Sequence, residues 1–284
     1  MPLLIPQLST DSYFRNSIWE PEVTPLTSYQ SAFTVRLLND LVYQWRHVFR
    51  GPYNDTTFRK LASAIFRIIL SDFTVKEISS GRGGTAGRVV WLTDLPSWKP
   101  VPDRVVHFDH VSVVLCQYSA HAMELIRDDR ARRQQQRRTE GSPSLNNCVS
   151  ITYIVLSVRE IFLFQTCHWP SHAGISTKPE RLFNGIDSAS ERALAYLLMI
   201  VPQCTPSPLH ALPLELQDMI LCHASSGLVE SARVGCAMSL GTPFRWKGYW
   251  GQIERQNVFV ARTPETGVES QIWFDEYHSG LVYK

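Results

Sequence analysis

The first segment that could do chemistry is the glycine-rich run at residues 81–87, which contains the pattern G-x-G-x-x-A. In dinucleotide-binding proteins this pattern follows a strand and opens a helix, so that backbone N–H groups and the helix N-terminus face the pyrophosphate. Here residues 88–92 are Arg-Val-Val-Trp-Leu, a composition typical of a strand. No Lys-Ser or Lys-Thr pair completes a phosphate-binding loop. We therefore interpret the run as a hairpin loop and predict no nucleotide cofactor.

Four histidines and one cysteine form the two groups of side chains that could ligate a metal ion: His107 with His110, and Cys167 with His168 and His172. A structural zinc ion needs four converging ligands, usually as two close pairs at defined spacing. The second group could supply one pair, but no matching pair is evident elsewhere. The sequence also has no G-x-S-x-G elbow and no cysteine in a recognised nucleophile signature. We predict no metal site and no catalytic residue. An enzyme built on the central strands is the weakest of three functional alternatives.

Residues 127–138 contain six arginines, two aspartates and three glutamines, and a Gly-Ser-Pro sequence ends the segment at Pro143. Clustered arginines could bind nucleic acid or serve as a nuclear import signal. The acidic and amide side chains dilute the positive charge, and no aromatic residue is interleaved for base stacking. We therefore predict a solvated basic linker over residues 127–147 and do not expect nucleic-acid binding.

The segment that points to a function is 209–246, where the apolar pattern indicates two short helices. Pro213 suits the first turn of a helix because its φ angle is fixed. One face of this helix would carry four apolar side chains spaced i, i+4, i+7 and i+8: Leu212, Leu216, Met219 and Ile220. A break at 225–227 precedes a second helix with four further apolar residues: Leu228, Val229, Ala232 and Cys236. Helices with surplus apolar surface can lie against the helices of a partner.

At these residues the sequence resembles the F-box, the motif by which substrate adaptors join cullin-based SCF ubiquitin ligases. Residues 212–221, Leu-Pro-x-Glu-Leu-x-x-x-Ile-Leu, match the opening of the motif, and residues 228–236 resemble its second helix. The family usually closes with a Cys-Arg-x-Trp-like sequence, whereas this chain has Gly235-Cys236 and the next tryptophan is Trp246, ten residues after Cys236. The resemblance implies eight residues that bind the SCF linker subunit: Leu212, Pro213, Glu215, Leu216, Ile220, Leu221, Leu228 and Val229.

The resemblance implies a non-catalytic adaptor, without a cofactor, that recruits an unknown protein substrate to the ligase. The alternative is a stand-alone protein-interaction or structural protein in which the F-box-like helices are internal core. The exposure of Leu212, Pro213, Leu216 and Ile220 separates these two hypotheses. The wider stretch from Arg181 to Phe274 also resembles an uncharacterised family of fungal proteins, a likeness that implies no activity.

Composition limits the class of protein to which the chain can belong. Of its 284 residues, 44% are hydrophobic and 19% are charged, enough apolar material for a sizeable core. Twenty-eight basic and 26 acidic residues give a formal charge of +2, which excludes a strongly polyanion-seeking protein. No run approaches the roughly 20 apolar residues of a membrane span. The first residues resemble no secretory signal, and six cysteines without close pairs indicate reduced thiols. We expect a cytoplasmic or nuclear protein that does not enter a membrane.

The elements that must position these residues predict an α+β fold. Apolar residues recur at three- and four-residue steps after residue 31, which indicates an N-terminal helical pair. Runs of β-branched residues follow and predict a central antiparallel sheet. Residues 268–274 and 281–283 would form a terminal β-hairpin. The expected organisation has six parts: an extended arm (1–30), the helical pair with the first strands (31–126), the basic linker (127–147), strands and a helix (148–208), the F-box-like segment (209–246) and the hairpin region (247–284).

Overall fold

Helices and strands both contribute to the structure, which confirms the predicted α+β class. The computed structural model describes residues 19–21, 29–80, 87–93, 101, 103–108, 111–139, 150–166, 174–201, 206–225, 228–242, 247–248, 251–252, 256–259, 270–273 and 281–283. The predicted arm therefore lies largely outside the described residues. Within those residues, no helix combines the length and the apolar character that a membrane crossing requires.

The predicted N-terminal helical pair is present as three helices: α1 (Tyr29–Gln44), the short α2 (Arg46–Arg50) and α3 (Asp55–Ile69). Apolar side chains one turn apart, such as Phe33, Leu37 and Leu41, are completely or almost completely buried. Helix α3 begins after Asn54, whose side chain accepts a hydrogen bond from the Thr57 N–H at 2.9 Å. These apolar stripes explain why both long helices could be predicted from the spacing alone.

The central sheet consists of six strands: β3 (Val105–His107), β4 (Ser112–Leu115), β5 (Thr152–Leu156), β6 (Glu160–Thr166), β7 (Gly174–Ser176) and β8 (Glu180–Arg181). Its order is β3-β4-β5-β6-β7, and β8 also pairs with β6. The prediction of an antiparallel sheet is wrong for one pair, because β4 and β5 are parallel. Two parallel neighbours need a long crossover connection, which the predicted linker segment provides here.

That crossover contains helix α4 (Ala122–Thr139), so residues 127–139 are helix rather than linker. Ala122 and Ile126 are buried against the sheet, and Asp129 follows them on the same side with 3% of its surface exposed. Residues 140–147 of the predicted linker lie outside the described residues. The charged composition predicts a fully solvated segment, but Asp129 and Arg133 of this run face the sheet.

Asp129 anchors α4 through a network of polar side chains. The Tyr153 hydroxyl donates a hydrogen bond to Asp129 Oδ2 at 2.9 Å, and Arg133 Nε donates to the same oxygen at 2.9 Å. His107 Nε2 lies 3.2 Å from Asp129 Oδ1. Arg133 Nη2 also donates to Ser112 Oγ at 2.7 Å. Burial, reinforced by the Asp129 carboxylate, raises the pKa of the Tyr153 hydroxyl and keeps it protonated as a donor.

The two faces of the central sheet belong to different clusters of buried residues. Alternate residues of β5, Ile154 and Leu156, join the large cluster formed with helices α1 and α3 and with α5 (Glu191–Leu198). The intervening Tyr153 and Val155 join the smaller cluster formed with α4. This alternation follows from the two-residue period of a strand. The sheet is therefore the middle layer between the N-terminal helices and α4.

The turn between β5 and β6 fastens the sheet to the N-terminal helices. Val158 is completely buried in this turn despite a backbone φ of 73°. A positive φ is costly for a β-branched residue, so the surrounding packing must hold the turn. Arg159 donates hydrogen bonds to the backbone oxygens of Phe49 and Gly51 at 3.1 and 2.6 Å. Its guanidinium also lies 4.8 Å from the centre of the Tyr53 ring.

The remaining strands form smaller sheets: β1 (Thr74–Ser80), β2 (Gly87–Thr93), β9 (Lys247–Gly248), β10 (Gly251–Gln252), β11 (Gln256–Phe259), β12 (Ser270–Trp273) and β13 (Leu281–Tyr283). Strands β1 and β2 are antiparallel and flank residues 81–86, which confirms strands on both sides of the glycine-rich run. The predicted terminal hairpin pairs differently, since β12 pairs with β11 and β13 joins β2 in parallel.

The role of Asp129 predicts a large difference between two neighbouring aspartates of α4. Asp129→Ala removes the acceptor of the buried Tyr153 hydroxyl and should cost about 3 kcal/mol of unfolding free energy. Asp128→Ala makes the same change at an exposed position and should shift the unfolding free energy by less than about 0.5 kcal/mol. Urea unfolding of both variants measures the difference. Equal stabilities would contradict the anchoring role of Asp129.

Candidate docking surface

The C-terminal helical unit consists of a 3₁₀ turn (Pro208–Ala211), helix α6 (Leu214–Ala224) and helix α7 (Leu228–Met238). Both helices lie where the apolar spacing predicts them. Pro213 immediately precedes α6, and its carbonyl oxygen accepts hydrogen bonds from the N–H groups of Leu216 and Gln217 at 3.0 and 3.1 Å. The fixed φ of proline thus sets the direction in which α6 begins.

Helix α7 attaches this unit to the N-terminal helices. Cys236 is 2% exposed and belongs to the same buried cluster as α1 and α3. Arg233 donates a hydrogen bond from Nη1 to the backbone oxygen of Ser71 at 2.8 Å, just after α3. Its Nε donates to Glu230 Oε2 at 2.7 Å. Helix α7 is therefore part of the protein core, and α6 packs on it from outside.

Helix α6 presents apolar side chains to solvent. Leu216, Met219 and Ile220 are 44%, 55% and 40% exposed and lie within one angular sector of the helix. We call these three residues the outer face of α6. Leu214 at the start of the helix is 43% exposed, and Met238 at the end of α7 is 38% exposed. Isolated exposed leucines are ordinary, but a group of large apolar side chains on one short helix is typical of an interaction surface.

The inner side of α6 buries a polar side chain, Gln217, together with Leu221, which departs from the usual apolar inner side of a surface helix. Gln217 is 6% exposed, and both polar atoms of its side-chain amide form hydrogen bonds. Its Nε2 donates to the backbone oxygen of Leu212 at 2.8 Å, and its Oε1 accepts from the Gly241 N–H at 2.8 Å. Asp218 accepts two further hydrogen bonds from Thr242. Buried polar groups that are satisfied in this way specify one orientation of the helix.

Two glycines make room for Leu221, the buried leucine of α6. A Cβ atom at Gly235 would lie 3.1 Å from Leu221 Cδ1 and 2.9 Å from the backbone oxygen of Leu240. At Gly241, where φ is +80°, it would lie 2.7 Å from both Leu221 Cδ1 and Asp218 Oδ1. Gly241 is needed for its conformation as well as for the space. These close approaches fix the distance from α6 to α7 and to the segment that follows α7.

The structure describes six of the eight predicted partner-binding side chains, and these six lie in three different environments. Pro213, Glu215, Leu216 and Ile220 are exposed, and Leu212 is half-buried. Leu221 is only 5% exposed, so it belongs to the core and not to the docking surface. Leu228 and Val229 open α7, but their side chains lie outside the described residues. The apolar spacing had placed Leu221 off the face of Leu216 and Ile220, and that separation is the signal of its different role.

His107 is the histidine candidate that the structure describes, and it lies in a network of polar side chains. His107 Nδ1 lies 3.2 Å from Ser112 Oγ, and its Nε2 faces Asp129, so serine, histidine and aspartate are neighbours. Ser112 is only 2% exposed and accepts a hydrogen bond from Arg133, so it cannot meet a substrate. Across the described ranges, no three His, Cys, Asp or Glu side chains are grouped as metal ligands. The other histidine candidates and Cys167 lie outside those ranges.

Comparison of the chain with protein-family models, with curated proteins and with solved structures finds no match in any of the three.

The different burial of Cys116, Cys222 and Cys236 predicts different reactivities of their thiols. Burial raises the pKa of the Cys116 and Cys236 thiols to about 12, whereas Cys222 of α6 is exposed. At about pH 8 we expect iodoacetamide to modify Cys222 at least about tenfold faster than either buried thiol, since Cys222 is accessible and the raised pKa of each buried thiol leaves it almost entirely protonated. Peptide mass spectrometry of the native protein gives the three rates. Unfolding the chain first is the control and should abolish the difference. Fast modification of Cys236 in the native protein would contradict the packing of α7.

Proposed function

We propose that this chain is a non-catalytic, F-box-like adaptor that docks through α6 on the linker subunit of a cullin-based ubiquitin ligase. The single observation that carries the proposal is the outer face of α6, where Leu216, Met219 and Ile220 are exposed. Two of these three residues belong to the motif that resembles the F-box. The remainder of the chain would recruit the protein substrate, and such an adaptor would act in the cytoplasm or the nucleus.

The exposure of this face favours docking over the alternative of an internal core. In a helix that only completes its own protein, Leu216 and Ile220 would be buried and the polar residues would face solvent. Here Gln217 is buried and these two residues are 44% and 40% exposed. Covering large apolar side chains with a partner yields roughly 25 cal/mol for each Å² removed from water. Burial of the outer face by a partner would therefore contribute favourable binding free energy that the isolated fold does not gain.

The polar surroundings of α6 suit an interface with a defined rim. Glu215 is exposed beside the outer face, and His223 follows Met219 by one helical turn. Interfaces commonly place apolar anchors at the centre and polar side chains around them. Pro213 is exposed at the beginning of the helix, next to the half-buried Leu212. Pro213 and Glu215 would therefore form the rim at the N-terminal end of α6.

The proposal predicts that truncation of the outer face abolishes docking without unfolding the protein. Truncated interface anchors typically cost roughly 1–3 kcal/mol each, so the double variant Leu216→Ala/Ile220→Ala should bind the linker subunit at least about tenfold more weakly. Its unfolding free energy should change by less than about 1 kcal/mol, because both side chains are exposed. Calorimetric titration with purified linker subunit and urea unfolding measure the two quantities.

Two matched variants complete this experiment. Ile186→Ala truncates another exposed apolar residue, 72% exposed and remote in sequence from α6, and should leave the affinity unchanged. Leu221→Ala truncates the buried leucine of the same helix and should cost about 2–5 kcal/mol of unfolding free energy through the cavity that it leaves. Absence of binding by the wild-type chain, or equal affinity of the wild type and the double variant, would end the adaptor hypothesis.

A further inference from the structure

The turn that follows α7 is held against α6 by hydrogen bonds from Thr242 and Gly241. Thr242 is exposed, and both of its polar groups bond to the Asp218 carboxylate. Its N–H donates to Oδ1 at 2.8 Å, and its hydroxyl donates to Oδ2 at 2.9 Å. Next to it, Gly241 donates to the buried amide of Gln217. The two hydrogen bonds from Thr242 to Asp218 therefore help to fix the turn that contacts the inner side of α6.

The sequence around Thr242 has the form that many protein kinases require. The next residue is Pro243, so the acceptor hydroxyl belongs to a Thr-Pro pair. A residue before proline favours an extended backbone, which is the conformation of a peptide bound in a kinase groove. The hydrogen bonds that hold Thr242 lie at the surface. Exposed bonds of this kind open locally much more often than the core unfolds.

The electrostatic surroundings of Thr242 would not accommodate a phosphate. Asp218 is the direct partner of the hydroxyl, and Glu215 lies one turn earlier on α6. Arg233 is the sole lysine or arginine in residues 206–242, and it is paired with Glu230. His210 Nδ1 accepts from the Ser207 N–H, and its Nε2 lies 3.0 Å from the Met238 backbone oxygen. The group that accepts the hydroxyl hydrogen bond is thus acidic, and Arg233 and His210 are already engaged elsewhere.

We propose that Thr242 is a phosphorylation site for a proline-directed protein kinase and that its phosphate releases the turn from α6. The hydroxyl oxygen attacks the γ-phosphorus of ATP, the bond from that phosphorus to the β–γ bridging oxygen breaks, ADP leaves, and the hydroxyl proton passes to the kinase. The product carries about −1.5 to −2 charges at neutral pH and has lost the proton that bonded Asp218. Attraction between residues 218 and 242 becomes repulsion.

The consequence for docking rests on the proposed function, whereas the modification and the loosening of α6 do not. Once the Asp218 contact is lost, the Gly241–Gln217 bond remains as the polar contact between the turn and the inner side of α6. Repulsion at residue 242 would also strain that neighbouring bond, so helix α6 would be held less firmly and its outer face would be presented in a less defined geometry. Phosphorylation is therefore an off-switch for docking.

Three variants of the full-length chain separate charge from loss of the hydroxyl. Thr242→Val removes the hydroxyl bond without adding charge, and Thr242→Glu adds a carboxylate in the position of the phosphate. Thr242→Glu combined with Asp218→Asn removes the opposing charge while keeping an acceptor for the backbone N–H. Hydrogen exchange of α6 amides should be at least about fivefold faster in Thr242→Glu than in Thr242→Val, and the double variant should return to the level of Thr242→Val. Equal exchange in the two single variants would overturn the proposal.

The modification itself is tested on the wild-type chain with a purified proline-directed kinase and ATP. Mass spectrometry should find phosphate on Thr242, and Thr242→Val should lose that one site. Phosphate on other Ser-Pro or Thr-Pro pairs, such as Ser207-Pro208, with none on Thr242 would overturn the proposal. Affinity for the linker subunit is measured on the same samples. Phosphorylation that loosens α6 without changing that affinity would support the modification site and contradict the proposed docking function.

Discussion

The buried amide of Gln217 determines which side of helix α6 faces solvent. Its two hydrogen bonds, to Leu212 and to Gly241, can form only when the outer face points away from α7. Rotating the helix to bury the outer face would gain roughly 1 kcal/mol for each half-exposed side chain. It would leave buried polar groups without partners, at about 1–3 kcal/mol each, and remove Leu221 from its site, at about 2–5 kcal/mol. The losses exceed the gain, so the exposed apolar face is a property of the stable fold.

Asp129 orients helix α4 in the same way that Gln217 orients α6. Each is a polar side chain on the inner side of a helix, and each bonds to partners that are distant in the sequence. Tyr153 is 24 residues from Asp129, and Gly241 is 24 residues from Gln217. In each helix the buried polar side chain acts beside a short apolar contact, Ala122 and Ile126 in α4 and Leu221 in α6, and not beside a full apolar stripe. This explains why α4, with its many charges, resembles a linker in sequence, and why the exposed side of α6 resembles a core-facing stripe.

Sequence patterns predict the parts of this fold whose burial follows local spacing. Helices α1 and α3 have apolar residues at every turn, and the central strands are rich in β-branched residues. The parallel pairing of β4 and β5 could not be predicted in this way, because it depends on α4 being a crossover helix. On α6, spacing separates Leu221 from Leu216 and Ile220 but cannot tell which side is buried. Part of what decides it is the close approach of Leu221 to Gly235, within the next helix, and to Gly241, after that helix.

Two leucines of helix α6 differ sharply in exposure: Leu216 is 44% exposed and Leu221 is 5% exposed. Hydroxyl-radical footprinting of the intact protein compares them without correction for side-chain reactivity, because both are leucine. Tandem mass spectrometry resolves the two positions within one α6 peptide. We predict that Leu216 is oxidised several-fold faster than Leu221 in the native chain and that the two rates become equal on unfolding. Equal native rates, or faster oxidation of Leu221, would contradict the orientation of α6 and the docking function that depends on it.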